Sequence, residues 1–486
     1  MEGDHLSLND LSSAEKIHIT SCTFEPLAIE EVSDTGMPTI QYRLYKRRFA
    51  GLVALIFLNI IAGMAWPWFG PISNNMATEF NITLDEVNWL GNIISCVYLP
   101  TSLIIPKIVS LYGIRRCCDV GAVGLILSAW LRYAGTPHSL SPSGAYALLI
   151  VGQFFASIPQ AIYQVIGPKY SETWFGLEGR TTATMLIAIA NPFGGALGQL
   201  LSPLVGNTRQ SILVLGIMST AVTPLVFLIG KAPPTPPTYA ASKETPSLIT
   251  LCRATLGMNV APDAYMSVRE RFDFAIIFLI FSVLSANTNT FAIISAQVMQ
   301  PMGYSADVSG FMGACLLLSG MVAAIVSAPL IDRFFTHHLA RLAKVLVPFI
   351  AVGWLSLIWA VRPNNTAALF VIMAAIGICS ITMLPIALEL ACELTRNADG
   401  SSALVWFGGN LFGIIFVLAC GALRAGPGAH PPLNMSKALI FLGVIAMAIC
   451  SLVFLLRGEQ KRKLMDEEKL KESAVAQGLP TCEVLT

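Results

Sequence analysis

Charge is what this sequence has least of. Asp, Glu, Lys and Arg make up 12% of it, against about 25% in soluble domains. Hydrophobic residues reach 55% and mean hydropathy is +0.67. A soluble chain could not cover its surface with so few charges, which excludes a soluble enzyme and a disordered protein. The net charge of +1 leaves no basic face for phosphate backbones and excludes a nucleic-acid partner. Other signatures are missing as well. The eleven cysteines include no Cys-x-x-Cys pair, so neither a disulfide framework nor a zinc site is predicted. Gly230-Lys231 is followed by Ala232, so there is no Walker A loop and no visible means of hydrolysing ATP. The six histidines all fall in tails or loops, with no pair spaced to hold a metal ion or haem iron inside a membrane. No cofactor, no metal and no enzymatic activity are predicted.

What remains is a membrane protein, because long apolar runs fill most of the chain. A hydrocarbon core of about 30 Å needs about 20 apolar residues per helix. Twelve such runs lie near 49–72, 88–106, 117–134, 145–166, 181–204, 210–230, 272–299, 307–331, 340–361, 366–391, 401–423 and 436–456. The longest polar interruption, 231–271, holds the Pro-rich spacer Ala232-Pro233-Pro234-Thr235-Pro236-Pro237. The organisation is therefore an acidic N-terminal tail (1–48), a six-helix half (49–230), a linker (231–271), a second six-helix half (272–456) and a C-terminal tail (457–486). The N-terminal tail shows neither a cleavable leader nor the Arg-rich pattern of a mitochondrial address.

Lys and Arg concentrate in alternate loops. Lys46, Arg47 and Arg48 precede the first run, Lys107, Arg115 and Arg116 follow the second, Arg333, Arg341 and Lys344 follow the eighth, and Arg457 to Lys463 follow the last. The positive-inside rule then places both tails and the linker in the cytosol. The other loops hold only scattered charges such as Arg132, Arg209, Arg362 and Arg424. The glycosylation sequons at Asn81, Asn364 and Asn434 all fall in loops placed outside, with Asn81 the best acceptor. The plasma membrane is the expected location, with an endosomal or vacuolar membrane as the alternative. A monomer in the lipid bilayer, binding a small-molecule substrate, is the expected assembly.

Few residues inside the runs could carry chemistry. Glu389 and Glu393 are four apart on one helix face near the cytosolic end of span ten. They read either as interfacial carboxylates partnered by Arg396 or a loop arginine, or as a gate or proton site. With no other ionisable group at mid-membrane, tight proton coupling is not predicted. Span one contains Trp66-Pro67-Trp68-Phe69-Gly70-Pro71, a proline-bent run suited to lining a cavity. Trp66 reads equally as a cavity ring or an interfacial anchor, whereas Trp68 reads as part of the interfacial aromatic belt. Span four carries Gln153, Gln160 and Gln164 on one stripe, and amides in hydrocarbon need partners. Asn191 in span five, Asn287-Thr288-Asn289-Thr290 in span seven and Asn410 in span eleven add uncharged polar groups from both halves. Such groups suit a neutral or cationic solute better than a multivalent anion.

Two resemblances follow from these residues. The stretch Pro106 to Arg116 after span two is echoed by Ala328-Pro329-Leu330-Ile331-Asp332-Arg333 after span eight. This six-plus-six repeat resembles the major facilitator superfamily. That resemblance implies an all-α membrane fold of 12 transmembrane helices in two halves, with Asp332 and Arg333 in a cytosolic gate. In the first copy Ser110-Leu111 stands where the family has Asp-Arg. More narrowly, several stretches resemble the feline leukaemia virus subgroup C receptor-related family, carriers of choline and related amines and earlier described for haem. These are Trp66 to Asn74, Val87-Asn88-Trp89-Leu90, Gly152-Gln153 with Gln160, Trp174-Phe175-Gly176, Asn191 to Gly198, Glu389 with Glu393-Leu394-Thr395, and Asn410-Leu411-Phe412-Gly413.

The narrower resemblance assigns pocket roles to Trp66 and Gln160. It also shows two departures: the family's span-seven aromatic falls on Ala292, beside Phe291, and its span-eleven Gln falls on Asn410. Phe291, Trp406, Tyr163 and Phe193 are candidates to replace the lost ring. The predicted substrate-binding set is Trp66, Gln160, Gln153, Asn191, Asn287, Phe291 and Asn410; the predicted gating set is Asp332, Arg333, Glu389 and Glu393. The function implied is ATP-independent transport of a choline-like or other amine by alternating access. The alternatives are export of an amine-bearing natural product of tryptamine-alkaloid type or of a drug-like compound, and a nutrient sensor or receptor that keeps the bundle without transporting.

Overall fold

The computed structural model describes residues 44–175, 177–235, 247–260, 265–334, 338–395 and 397–458. The regular elements among them are helices: α1 (Arg47–Met64), α2 (Ser73–Phe80), α3 (Leu84–Ala134), α4 (Pro142–Trp174), α5 (Leu177–Leu204) and α6 (Thr208–Val222) in the first half. A short helix α7 (Leu248–Thr255) lies in the linker. The second half holds α8 (Val268–Met299), α9 (Ala306–Phe334), α10 (Leu339–Ala360), α11 (Thr366–Thr395), α12 (Ala398–Ala422) and α13 (Ser436–Cys450). Among the described residues, eleven helical stretches are long and apolar enough to cross a membrane.

One of them must cross twice. Helix α3 has 51 residues, about 76 Å at a rise of 1.5 Å per residue, more than twice the hydrocarbon thickness of about 30 Å. Its helical geometry breaks at Gly113 (φ 82°, ψ 163°), a conformation that a residue with a Cβ resists. Spans two and three are thus the two arms of α3, and the total is twelve spans in two six-helix halves.

Helix starts are set locally. Thr83 accepts from the Glu86 backbone while Glu86 reaches back to Thr83, a capping box that opens α3. Ser267 and Glu270 do the same for α8, which therefore begins inside the stretch read as linker. Ser141 caps α4 with Pro142 at its first position. At the other end of the chain, the Arg457 and Gly458 amides donate to Asp273, which also pairs with Arg269 at 2.7 Å. This fastens the last span to the start of span seven. Within each half a continuous apolar core packs the helices together. Between the halves, α5 packs on α9 and α3 on α12, joining spans five and eight and spans two and eleven. The face where α1 begins and α13 ends is called the terminal face below, and the opposite one the far face.

Candidate functional site

The remaining space between the halves is a cavity of about 1060 Å³, the solvent at its opening included. Span seven shows how a helix is set to line it. Ile277, Ile280, Phe281, Leu284, Ser285, Thr288 and Asn289 follow a three-four spacing, and all face the cavity. Trp66, Ile94, Gln160, Gln164 and Asn191 come from the first half, with Ser380, Trp406 and Asn410 from the second. No charged side chain lines it among the described residues.

Four of the predicted binding residues are brought together. Trp66 lies in the turn that follows α1, packed against a small cluster of Ala65, Ile94 and Ala156. Its indole edge fits over Gly195, where a Cβ would sit 3.1 Å from Cζ2. Gln160 is buried with its Oε1 unpartnered, an acceptor held ready at the cavity wall. Asn191 donates to the Asn59 Oδ1 at 3.1 Å, and Asn59 in turn to the Ile187 carbonyl. Asn410 donates to the carbonyl of Trp406, one turn back on its own helix, at 3.0 Å.

The other three are not in the lining. Gln153 stands seven residues before Gln160, about 10 Å up the helix. There it bonds the carbonyls of Ala65 and Leu90 and the guanidinium of Arg132. Asn287 points away, donating to the Leu442 carbonyl of span twelve at 3.3 Å. Phe291 is 1% exposed and meets Trp354 edge-on at 6.0 Å. Each residue turns an α-helix by 100°, so Asn289 lines the cavity while Asn287 does not. Of the four candidate replacement rings, Trp406 alone lines the cavity, with Phe281 edge-on to it at 5.1 Å. Tyr163 is fully buried and donates to the Cys118 carbonyl. The four-residue spacing of Trp406 and Asn410 was the available signal that the two share a face.

Two further placements correct the sequence reading. Trp68 is no interfacial anchor: it is fully buried, its Nε1 donating to Ser211 Oγ at 2.8 Å. Arg132 is not a loop charge but a buried residue in the last turn of α3. Of the gating set, Glu389 is exposed and Glu393 is buried. The side chains of Asp332 and Arg333, and all of Arg396, lie outside the described residues. Asn81 and Asn364 are exposed, while the Asn434 amide is held by the Pro431 carbonyl.

Toward the far face the cavity is closed by contacts between the halves. Asn88 lies three residues before Gly91 and accepts from Gln297 at 2.6 Å. Asn74 donates to Gln300 at 2.5 Å, and Asp85 pairs with Arg424 at 2.6 Å. A Cβ on Gly70 would collide with the Ala292 carbonyl oxygen, so the two chains touch there backbone to backbone. Toward the terminal face the lining continues to Ile277 and Ala387.

Twelve spans in paired halves around a central cavity are the geometry against which known families can be compared. The sequence model of the Major Facilitator Superfamily matches residues 55–418, well over half of the chain. The chain belongs to the major facilitator superfamily. It is a multi-pass membrane transporter of that family, which is a family of carriers and not of enzymes. Solute carrier family 49 member A3 of Xenopus tropicalis is 24% identical over 433 residues, covering 84% of each chain. The choline/ethanolamine transporter FLVCR2 of Homo sapiens is 23% identical over 446 residues, 88% of this chain and 81% of that one. The resemblance to the feline leukaemia virus receptor-related family is thereby supported. The solved structure of a D-xylose-proton symporter overlays with a TM-score of 0.67 at 11% identity, covering 85% of this chain and 99% of that one. It has the same fold.

Proposed function

We propose that this major facilitator protein carries a small organic amine with a choline-like headgroup across the membrane by alternating access, without ATP. The observation that carries the reading is a pair of indoles, Trp66 and Trp406, contributed by opposite halves to a cavity with no charged lining among the described residues. A cation without a carboxylate partner must be held by ring faces, and a desolvated ammonium over an indole gains about 2 kcal/mol. Gln160, Gln164, Asn191, Asn289 and Asn410 supply hydrogen bonds for a hydroxyl or an ammonium N–H. Relatives named choline/ethanolamine transporters agree with this chemistry. The positive-inside rule makes the terminal face cytosolic and the far face the closed outer side.

A larger amine is the second reading, favoured by the apolar wall that Ile277, Ile280, Phe281 and Leu284 extend beyond the indoles. Purified chain in proteoliposomes, loaded with unlabelled choline, tests both readings. Saturable entry of labelled choline, inhibited by ethanolamine and not by D-xylose, supports the first. Entry of labelled tryptamine without choline flux supports the second. No flux of any of these amines sinks the amine reading and restores the sensor.

A further inference from the structure

An arginine at the end of a span ordinarily extends its head toward the interface. Arg132 does the opposite. It lies in the last turn of α3, is 2% exposed, and folds inward between spans three and four. Its Nε donates to the Ser128 carbonyl at 3.0 Å and its Nη1 to Gln153 Oε1 at 2.9 Å. Gly152 makes the room, since a Cβ there would stand 2.5 Å from Arg132 Cγ. Among the described residues no carboxylate pairs with it. Burying a cation without a counter-ion carries a desolvation penalty, and ionisable groups kept inside membranes mark function.

We propose that Arg132 is a positioning residue that acts through Gln153 to aim Trp66 into the cavity. A guanidinium only donates, so it fixes which end of the Gln153 amide faces it. Oε1 turns to Arg132, and Nε2 must turn the other way. There Nε2 donates to the Ala65 carbonyl at 3.2 Å and the Leu90 carbonyl at 3.1 Å. Ala65 is where span one leaves the helix, one residue past the end of α1 and two before Pro67. Its carbonyl belongs to the peptide plane from which Trp66 departs. Leu90 lies one turn before Ile94, a member of the small apolar cluster against which Trp66 packs. One amide, oriented by one cation, therefore holds both the origin of the indole and the wall it rests on.

The inference rests on the reading of Trp66 as the ring for a cationic headgroup, and its test is built to separate the two. The full chain is labelled with 5-fluorotryptophan, and the Trp66 fluorine line is assigned by its loss in Trp66→Phe. Arg132→Lys keeps the charge but loses the two-point grip, and Arg132→Gln loses both. Gln153→Glu pairs with Arg132 yet cannot donate to the Ala65 or Leu90 carbonyls, so it keeps the buried charge compensated and serves if the arginine variants do not fold. All three are expected to shift or broaden the Trp66 line while leaving the Trp354 line in place. Choline affinity is expected to weaken about tenfold, the scale of a hydrogen bond to a charged group. In a Trp66→Ala background the same changes are expected to cost less than about twofold, because coupled residues are not additive. A Trp66 line unmoved by the variants that fold overturns the proposal. So does an equal loss of affinity in both backgrounds, or an effect of Arg132→Gln without one of Arg132→Lys, which would report charge alone. If the unmodified chain binds no choline, the amine reading fails while the fluorine line still decides the role of Arg132.

Discussion

Trp66 and Trp68 stand two residues apart and do opposite things. Trp66 is partly exposed to the cavity, whereas Trp68 is fully buried with its indole N–H on Ser211. Sequence spacing could say that they face different ways but not which faces in, because Pro67 and Pro71 take the run out of helical geometry. Their substitutions should separate accordingly. Removing a cation–π contact of about 2 kcal/mol, at about 1.4 kcal/mol per tenfold, predicts a roughly ten- to thirtyfold loss of choline affinity in Trp66→Ala. Trp66→Phe is expected to keep part of it. Trp68→Ala opens a cavity in the first-half core, a change that costs about 3–5 kcal/mol for a large aromatic. It should lower the amount of folded protein and leave the affinity of what folds intact. Surface level and binding, measured on the same cells, decide between them. Unchanged affinity in Trp66→Ala would mean that no indole holds the headgroup.

Elements were legible to different depths. The apolar runs located all twelve described spans, since length and hydropathy are what a bilayer demands. Rotation about the helix axis was harder to read, because transmembrane helices are apolar all round and lack the polar stripe that orients a soluble helix. Span seven shows the consequence: Asn287, Thr288, Asn289 and Thr290 are adjacent in sequence, yet Thr288 and Asn289 line the cavity. Asn287 and Thr290 are fully buried in the bundle. Span four shows depth instead: its glutamine stripe is present, but Gln153, read as a binding residue, stands outside the cavity lining. Gln153 and Gln160 do share a face, but at different depths, and the helices close around Gln153 before the cavity begins. Asn289→Ala is expected to weaken choline binding about fivefold, the worth of one hydrogen bond netting about 1 kcal/mol. Asn287→Ala should leave affinity within about twofold. If the two variants behave alike in a binding assay, the rotation of α8 in the functional carrier differs from the one described.

At the scale of the molecule, the twofold repeat was visible as six runs, a linker and six runs, but its consequence for access was not. The far-face contacts between halves join residues some 200 to 340 positions apart, such as Asn88 with Gln297 and Asp85 with Arg424, and no local pattern announces them. They form a clasp over the far end of the cavity. Its strength suits a part that must open. Two neutral amide pairs contribute about 1 kcal/mol each. The ion pair adds at most about 1 kcal/mol, because the Asp85 side chain is 69% exposed. A clasp of about 3 kcal/mol leaves the open state a minor population that a bound solute can favour. Alternating access requires the clasp to break in every cycle. Asn74 and Gln300, already 2.5 Å apart at their side-chain tips, are the place to prevent it. With the native cysteines replaced, Asn74→Cys combined with Gln300→Cys is expected to carry choline normally until a short cleavable dithiol-reactive linker joins the pair. Flux should then stop, while labelled choline still binds from the terminal face, and cleaving the linker should restore flux. Either single variant, treated the same way, should be unaffected. A joined carrier that turns over at the unlinked rate would show that the clasp stays shut during transport and that the solute leaves by another path.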